Sequence, residues 1–229
     1  MTAPRISVVA VAYHSKEWER LLRSSIAAYT RGPYEIVIID NSNDNRGHGA
    51  GLDLAIRQAS GDYILVLDID AHILSPGWDD ALIRRMEETG EQLIGARGGL
   101  LKPMRPACMF FRRSLFTDQH PTAGPASFTA RDIDGVKFDV GIHFYFRVLS
   151  LGIKVGFLEG GPSVYNVEGW GETYYNGKEP IGYHCYYGTR WFNRAGKRVH
   201  DVIDGRKYEE YARAKDVILN EATKRLCRQ

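Results

Sequence analysis

The chain has 229 residues, of which 44% are hydrophobic and 25% are charged. This composition is typical of a globular protein with a substantial core. Its 30 basic and 28 acidic residues leave a formal net charge of +2, which argues against a dedicated nucleic-acid-binding protein.

The cysteines and the apolar segments bear on where the protein works. Cys108, Cys185 and Cys227 lack the spacing of a metal site, which favours reduced thiols. The N-terminus leads into a strand-like segment without the apolar core of a signal peptide. No apolar run approaches the ~20 residues that span a bilayer. We therefore expect a cytoplasmic protein without a transmembrane segment.

The first half of the chain alternates apolar strands with amphipathic helices. The predicted strands lie at 6–12, 36–39 and 63–67, and the predicted helices at 16–29, 52–59 and 76–90. Ser15 is expected to cap the first helix, Pro76 to be the first residue of the third, and Gly90 to end it. This β-α-β-α-β order predicts an α/β fold with a doubly wound, mainly parallel central sheet that helices flank.

The second half is less regular. The predicted strands lie at 107–111 and 153–158, and a predicted helix lies at 140–151. A final helix carries an apolar stripe through Tyr208, Tyr211, Ala212, Lys215, Ile218, Leu219, Ala222 and Leu226. We expect this stripe to dock against the body, with a basic membrane-surface helix as the alternative. No repeat or linker interrupts the chain, so we expect one domain over 1–229.

Two carboxylates, Asp68 and Asp70, follow the third predicted strand. In extended backbone, residues i and i+2 point to the same side, so both carboxylates can address one ligand. Such oxygen donors suit Mg²⁺ or Mn²⁺, which can bridge protein carboxylates to a diphosphate leaving group. The alternative is a pair of loop or capping aspartates.

Further polar residues lie at the carboxyl ends of the strands, where doubly wound sheets bind ligands. Asp40 ends the second strand and can accept a hydrogen bond from a ribose or a base, or can cap a turn. In the loop 45–51, Gly47 allows the backbone to approach a phosphate or ribose closely. This loop lacks the spacing of a P-loop.

Three segments of the first half carry a specific pattern. They read Val9-Ala10-Val11-Ala12-Tyr13-His14, Ile36-Val37-Ile38-Ile39-Asp40-Asn41-Ser42 and Ala59-Ser60-Gly61-Asp62-Tyr63-Ile64-Leu65-Val66-Leu67-Asp68-Ile69-Asp70. The pattern resembles family 2 of the inverting glycosyltransferases, which have the GT-A fold, over about residues 5–158. His14 and Asp53 stand where Asn is common in that family.

The resemblance implies a metal-dependent glycosyltransferase. Such an enzyme moves a sugar from a nucleoside-diphosphate-sugar, here with a UDP-sugar favoured, to a hydroxyl acceptor such as a glycan or small molecule, with inversion. It implies a nucleotide-sugar-binding half at about 1–100, an acceptor half at about 101–229, and Mn²⁺ or Mg²⁺ as cofactor. The implied donor-binding residues are Ala12, Tyr13, Asp40 and Asp68, and the implied metal ligands are Asp68, Asp70 and His184. Further donor-binding candidates are His14 beside Tyr13, Gly47 in its loop, and Arg190, whose guanidinium can neutralise the released diphosphate.

The resemblance also implies a general base in the acceptor half. Family members carry an acidic pair at the start of a helix there, and the matching stretch is Phe138-Asp139-Val140-Gly141. The second acidic neighbour is missing, so Asp139 is the candidate base, with a helix-capping carboxylate as the alternative. Asp132, Asp134 and Glu168 are reserve candidates.

Each remaining residue has a simpler alternative role. His184 can be a packing residue among aromatic side chains instead of a metal ligand, and Arg190 a solvated arginine instead of a diphosphate contact. The aromatic loop 165–175 can form a lid or acceptor platform, or can pack under the chain.

Two other functions compete with sugar transfer. Phosphatases of the haloacid dehalogenase type also place Asp-x-Asp after an apolar strand, but there it follows the first strand, and a Thr is expected where this chain has His72. Because the second acidic residue beside Asp139 is missing, a catalytically inactive nucleotide-sugar-binding module also stays open.

Overall fold

The computed structural model describes residues 5–44, 46–98, 103–119, 121, 123–133, 136–167, 169–186, 198, 200, 202–203 and 205–228. The helices of this part are α1 (Lys16–Tyr29), α2 (His48–Gln58), α3 (Trp78–Thr89), α4 (Ser114–Thr117), α5 (Ile142–Ser150) and α6 (Tyr208–Leu226). The strands are β1 (Ile6–Ala12), β2 (Tyr34–Asp40), β3 (Tyr63–Leu67), β4 (Ala71–Ile73), β5 (Leu93–Arg97), β6 (Met104–Arg112), β7 (Arg131–Ile133), β8 (Val136–Phe138), β9 (Val155–Gly161), β10 (Gly171–Asn176), β11 (Glu179–Cys185), β12 (Val202–Ile203) and β13 (Arg206–Lys207).

Nine of the described strands form one sheet, in the order β2-β1-β3-β6-β5-β9-β10-β11-β4. The strands β1, β2 and β3 are parallel, as the sequence predicts, and β9 is parallel to β5. The other pairings in this sheet are antiparallel, including the hairpin β10–β11 and the pairing of β11 with β4. The α/β fold class is thus as predicted, but the sheet is mixed and not mainly parallel.

The central strands β1 and β3 are buried along their whole length, and nearly all of their residues are apolar. Alternate residues of β1 point to opposite sides, so Val8 and Ala10 join one core while Val9 and Val11 join another. The first core contains residues of α1 and α3, and the second contains residues of α2 and α5. Helices on both faces are the arrangement that a doubly wound sheet requires.

Helix α2 begins at His48, four residues before the predicted start at 52. Its glycines serve close packing: a Cβ at Gly49 would stand 2.5 Å from the Phe128 carbonyl oxygen, and one at Gly51 2.8 Å from Val11 Cγ2. The interpretation of this stretch as a polar loop was therefore wrong, because glycine is used here to bring a helix against its neighbours.

Two of the three predicted helix signals also differ from the structure. Helix α3 begins at Trp78 behind Gly77, so Pro76 is not its first residue, whereas Gly90 ends it in a left-handed conformation with φ 77° as predicted. Ser15 precedes α1, but its side chain does not bond to the helix N-terminus. Instead, Ser15 Oγ accepts a hydrogen bond from the Tyr13 N–H at 3.2 Å.

The final helix, α6, docks against α1 and the hairpin. Its buried residues are Tyr211, Ala214, Ile218 and Ala222, so Ala214 and not Ala212 lies on the buried face. They share a core with Trp18 of α1, whose Nε1–H donates to Tyr211 Oη at 3.2 Å. The predicted docking is therefore confirmed, and none of the described helices is long and apolar enough to cross a membrane.

Truncation of the buried face of α6 should destabilise the whole chain. Ile218 is 0% exposed, and we expect Ile218→Ala to lower the free energy of unfolding by about 2–5 kcal/mol, through lost burial and the cavity that remains. The neighbouring Val217 is 39% exposed, so Val217→Ala should change stability by less than about 0.5 kcal/mol. Urea titration of both variants measures the difference, and equal values would contradict docking through this face.

Candidate metal centre

The two aspartates of the Asp-x-Asp motif lie between β3 and β4. Asp68 follows β3 directly, and its backbone N–H donates to the Ala107 carbonyl of β6 at 3.2 Å. A tight turn follows, closed by the Ala71 N–H on the Asp68 carbonyl at 2.9 Å. The side chains of Asp68 and Asp70 are only 22% and 9% exposed, so both carboxylates are largely withdrawn from water.

Strand β11 brings a histidine to these aspartates. His184 is the antiparallel partner of Ala71 in β4, and the Cys185 N–H donates to the Asp70 carbonyl at 3.0 Å. His184 Nε2 consequently lies 3.4 Å from Asp68 Oδ2 and 3.5 Å from Asp70 Oδ1. The ligand atoms of the three residues all lie within 4.8 Å of one another. The structure thus brings together the three residues that the resemblance implies as metal ligands.

The donor set fits a divalent cation such as Mn²⁺ or Mg²⁺. Two carboxylates and one imidazole are ligands that Mn²⁺ accepts. Ligands at about 2.1 Å from one ion are separated from each other by roughly 3–4.2 Å, which includes both distances from His184 Nε2. Asp68 Oδ1 is buried and accepts no hydrogen bond among the described residues, although His48 Nε2 lies at ion-pair distance, 3.4 Å away. A buried carboxylate oxygen that accepts no hydrogen bond is costly, and a cation at this place would compensate for that cost.

The charges at the centre favour a proton or a metal ion on His184. Burial lowers the pKa of His184, but the hydrogen bond with Asp70 and the charges of Asp70, Asp68 and Glu172 outweigh it and raise that pKa. A proton and a metal ion therefore compete for the Nε2 lone pair, and metal binding displaces the proton from this atom.

A second histidine, His48, lies on the other side of Asp68. Its Nε2 is 3.4 Å from Asp68 Oδ1, and its side chain is partly exposed. His48 is the first residue of α2, so the helix N-terminus faces the aspartate. His48 is not predicted from the sequence, because residues 45–51 resemble a loop, in which no histidine has a defined direction. A helix start at Gly47 would have revealed it.

The predicted donor-binding residues at the strand ends are adjacent to one another. Ala12 and Asp40 are partners in the parallel pair β1–β2. His14 has a positive φ of 48°, and its backbone N–H donates to Ser42 Oγ at 3.1 Å. Tyr13 and His14 place their rings edge to face with centroids 4.6 Å apart. These contacts tie the ends of the two strands into one surface.

Asp40 is exposed at this surface and also caps a turn. Its Oδ1 accepts the Ser42 N–H at 2.8 Å, and hydrogen bonds from the Ser42 side chain and backbone hold the pKa of Asp40 below its ordinary value. Gly47 precedes α2 with φ 86°, a conformation that favours glycine, and its carbonyl accepts the Asn41 side-chain N–H at 3.2 Å. The turn and the helix N-terminus therefore lie side by side.

The candidate base, Asp139, is exposed and is not the cap of a helix. Helix α5 begins at Ile142 behind Gly141, and Asp139 Oδ1 accepts the N–H of its neighbour Val140 at 2.8 Å. The Gly141 N–H donates to the Phe128 carbonyl, the same group that Gly49 of α2 approaches. The segment of Asp139 is thus linked through one carbonyl group to the first turn of α2, which carries His48.

Asp53 of α2 holds that linking segment in place. Its carboxylate accepts hydrogen bonds from the Phe128 N–H and Ser127 Oγ, both at 2.6 Å, and from Thr129 Oγ1 at 3.1 Å. The residue that departs from the family's common Asn therefore acts as an anchor between the two halves of the chain.

Other candidates from the sequence are not part of this cluster. Asp132 is exposed in β7, and Asp134, Glu168 and Arg190 lie outside the described residues. In the aromatic stretch, Tyr165 is buried and its Oη lies 2.6 Å from His72 Nε2, so this tyrosine packs and is not part of a lid. Burial lowers the pKa of His72 to about 3, which makes it a neutral core residue.

Comparisons with known proteins show a similarity to one family over part of the chain. Residues 41–99 match the family model described as Glycosyl transferase family 2. The predicted resemblance to glycosyltransferase family 2 is confirmed. No match is found among curated proteins.

Several solved structures are similar to this chain at low sequence identity. The mannosyltransferase PcManGT from Pyrobaculum calidifontis, in complex with GDP-Man and Mn²⁺, is 13% identical, with a TM-score of 0.50 over 69% of this chain and 55% of that one. TarS from S. aureus is 16% identical, with a TM-score of 0.45 over 67% of this chain and 58% of that one. Glucosyl-3-phosphoglycerate synthase from Mycobacterium tuberculosis is 16% identical, with a TM-score of 0.43 over 68% of this chain and 70% of that one.

These comparisons confirm the GT-A fold class and support the prediction of a glycosyltransferase. The chain spans 29% of the length of one TarS structure and 58% of a shorter one. The match with the synthase extends over more of that protein, at 70% of its chain.

Loss of one ligand should abolish tight cation binding. We expect the chain to bind Mn²⁺ and Asp70→Asn to weaken this binding by more than about 100-fold, because a direct ligand contributes more than its outer-shell partners. Asp80→Asn is the matched control, since Asp80 pairs with Arg5 at the surface, 3.2 Å away. Calorimetric titration measures both, and an unchanged dissociation constant for Asp70→Asn would place the cation elsewhere.

Proposed function

We propose that this protein is a metal-dependent glycosyltransferase that moves a sugar from a nucleoside-diphosphate-sugar to a hydroxyl acceptor, with inversion. The cluster of Asp68, Asp70 and His184 at the carboxyl end of β3 is the observation that carries the proposal. It lies where doubly wound sheets bind ligands, in a chain whose residues 41–99 match a glycosyltransferase family.

The strand ends supply the donor site. Asp40 accepts hydrogen bonds from the nucleoside, on the surface that it forms with Ala12, Tyr13 and His14. The N-terminus of α2, at Gly47, directs backbone N–H groups towards the phosphates. Asp68, Asp70 and His184 would hold Mn²⁺ or Mg²⁺, and such an ion would supply positive charge to stabilise the diphosphate leaving group. The sequence also proposes Arg190 as a diphosphate contact.

The acceptor half supplies the base. Asp139 takes the proton from the acceptor hydroxyl as its oxygen attacks the sugar from the face opposite the diphosphate. The exposed carboxylate leaves room for an acceptor, and its segment is linked to α2 through Phe128. Proton transfer of this kind contributes ~10²–10⁴-fold in rate.

The donor base and the location of the protein are part of the proposal. A UDP-sugar is the favoured donor, and a GDP-sugar is the first competitor to test, since the mannosyltransferase with this fold binds GDP-Man with Mn²⁺. Cys108, Cys185 and Cys227 are all unpaired, which supports a reducing compartment such as the cytoplasm. We treat 1–229 as one domain with a donor half and an acceptor half.

Substitution of the base should separate catalysis from donor binding. With Mn²⁺ and a panel of UDP- and GDP-sugars, we expect the wild type to release nucleoside diphosphate in the presence of a hydroxyl acceptor. Asp139→Asn should lower kcat by ~10²–10⁴-fold and leave the donor dissociation constant nearly unchanged, because only the proton acceptor is lost.

Asp132→Asn provides the comparison, since Asp132 is also an exposed acidic residue of the acceptor half. A loss of turnover in Asp132→Asn and not in Asp139→Asn would assign the role of general base to Asp132. A wild type that binds donor sugars and never turns them over would leave the inactive binding module as the function.

Asp40 should determine the affinity for the nucleoside. Loss of a charge-assisted hydrogen bond in Asp40→Ala should weaken nucleoside diphosphate binding by ~1.5–3 kcal/mol. Calorimetry at saturating Mn²⁺ measures this change against Asp216→Ala, which removes an exposed carboxylate from α6. An unchanged affinity would leave Asp40 with its turn-capping role alone.

A further inference from the structure

Three polar side chains of the hairpin β10–β11 lie on one face of the sheet. Glu172 is the cross-strand partner of His184, and Tyr174 stands two residues further along β10. Because side chains alternate between faces along a strand, all three point to the same side. Tyr174 Oη lies 3.0 Å from Glu172 Oε1 and 3.3 Å from His184 Nδ1. The hydroxyl therefore connects the carboxylate to the imidazole.

The hydrogen bonds of this group have only one consistent direction. The Glu172 carboxylate, ion-paired with Arg105, can only accept. The Tyr174 hydroxyl has one proton, and it donates that proton to Glu172. Its oxygen is then left to accept from His184, which requires the imidazole to carry a proton on Nδ1.

A proton on Nδ1 leaves the Nε2 lone pair of the neutral ring for a cation. This Nε2 atom is the one that faces Asp68 Oδ2 at 3.4 Å and Asp70 Oδ1 at 3.5 Å. The opposite tautomer would place a proton where the cation binds and would leave Nδ1 as an acceptor against a hydroxyl that already donates elsewhere. The contact of Tyr174 with Nδ1, on the side of the ring away from the metal centre, thus determines the tautomer of His184.

The surrounding backbone makes room for the buried tyrosine. Tyr174 is 1% exposed, and its partners on both neighbouring strands are glycines, Gly160 of β9 and Gly182 of β11. A Cβ at Gly160 would stand 2.9 Å from Glu172 Oε2. A side chain there would therefore displace the carboxylate that orients the hydroxyl.

We propose that Tyr174 and Glu172 are positioning residues that hold His184 in the Nδ1-protonated tautomer and so prepare its Nε2 atom to bind a divalent cation. This inference rests on the metal centre of the proposed function. It assigns no contact with donor or acceptor to either residue.

The affinity for Mn²⁺ alone tests the positioning role. Tyr174→Phe removes the hydroxyl and keeps the ring, and we expect it to weaken Mn²⁺ binding by ~10–100-fold, the usual effect of losing an outer-shell partner. Tyr183→Phe is the matched control, because Tyr183 is a buried tyrosine of β11 whose hydroxyl lies 3.3 Å from Ser163 Oγ. Calorimetry should show a change of less than about twofold for this control.

The tautomer itself is measured by ¹⁵N NMR of the histidine rings in the metal-free protein, on the alkaline side of the His184 titration. We expect the wild-type ring to carry its proton on Nδ1, and Tyr174→Phe to populate the Nε2-protonated form, because Nε2–H then has the two carboxylates as acceptors. This measurement does not require a stable variant, because the tautomer found in the wild type can by itself contradict the proposal.

The outcomes separate the inference from the proposed function. A wild-type ring protonated on Nε2, or equal Mn²⁺ affinity in Tyr174→Phe and the wild type, overturns the inference while sugar transfer can still be observed. Mn²⁺ binding that depends on Tyr174, in a protein that transfers no sugar, supports the inference and rejects the proposed function. A wild type that binds no Mn²⁺ overturns the inference.

Discussion

The antiparallel pairing of β11 with β4 is the contact on which the candidate metal centre depends. Strand β4 is three residues long and follows the Asp-x-Asp turn directly, so its neighbour in the sheet determines what faces the two carboxylates. Because His184 is the partner of Ala71, an imidazole from late in the chain lies against aspartates from its first third. The pairing of β11 with its other neighbour, β10, places Glu172 opposite His184, so the two registers of β11 determine the ligand and its support.

The rest of the fold holds that register. The two cores on opposite faces of the sheet contain buried residues of β1 and β3, and α6 packs its buried face against α1 and the hairpin. Small residues allow this packing, since Gly49 and Gly51 bring α2 against Phe128 and Val11. His184 lies on a strand and the two aspartates lie in a tight turn between strands, which keeps these side chains in place better than a long loop would.

Predictions from local pattern were right where a segment had one dominant local preference. The segments of β1 and β3 are almost entirely apolar, and their predicted bounds agree with the structure. The pattern failed at α2, where glycines indicated a loop because their cost in a helix is visible in the sequence and their packing partners are not. The pattern also suggested a lid in the segment where Tyr165 is buried. An aromatic-rich segment has the same sequence pattern whether it packs in the core or forms a mobile loop.

By itself, the sequence determined the order of strands and helices in the first half, the place of Asp68 and Asp70 at a strand end, and the family resemblance that named His184. These depend on local periodicity and on contiguous motifs, which a linear chain displays directly. Only the tertiary structure decided that His48 faces Asp68, that Tyr174 joins Glu172 to His184, and that Asp139 precedes its helix without capping it. The first two contacts depend on helix starts and strand registers set by packing between distant segments, for which no local residue preference exists.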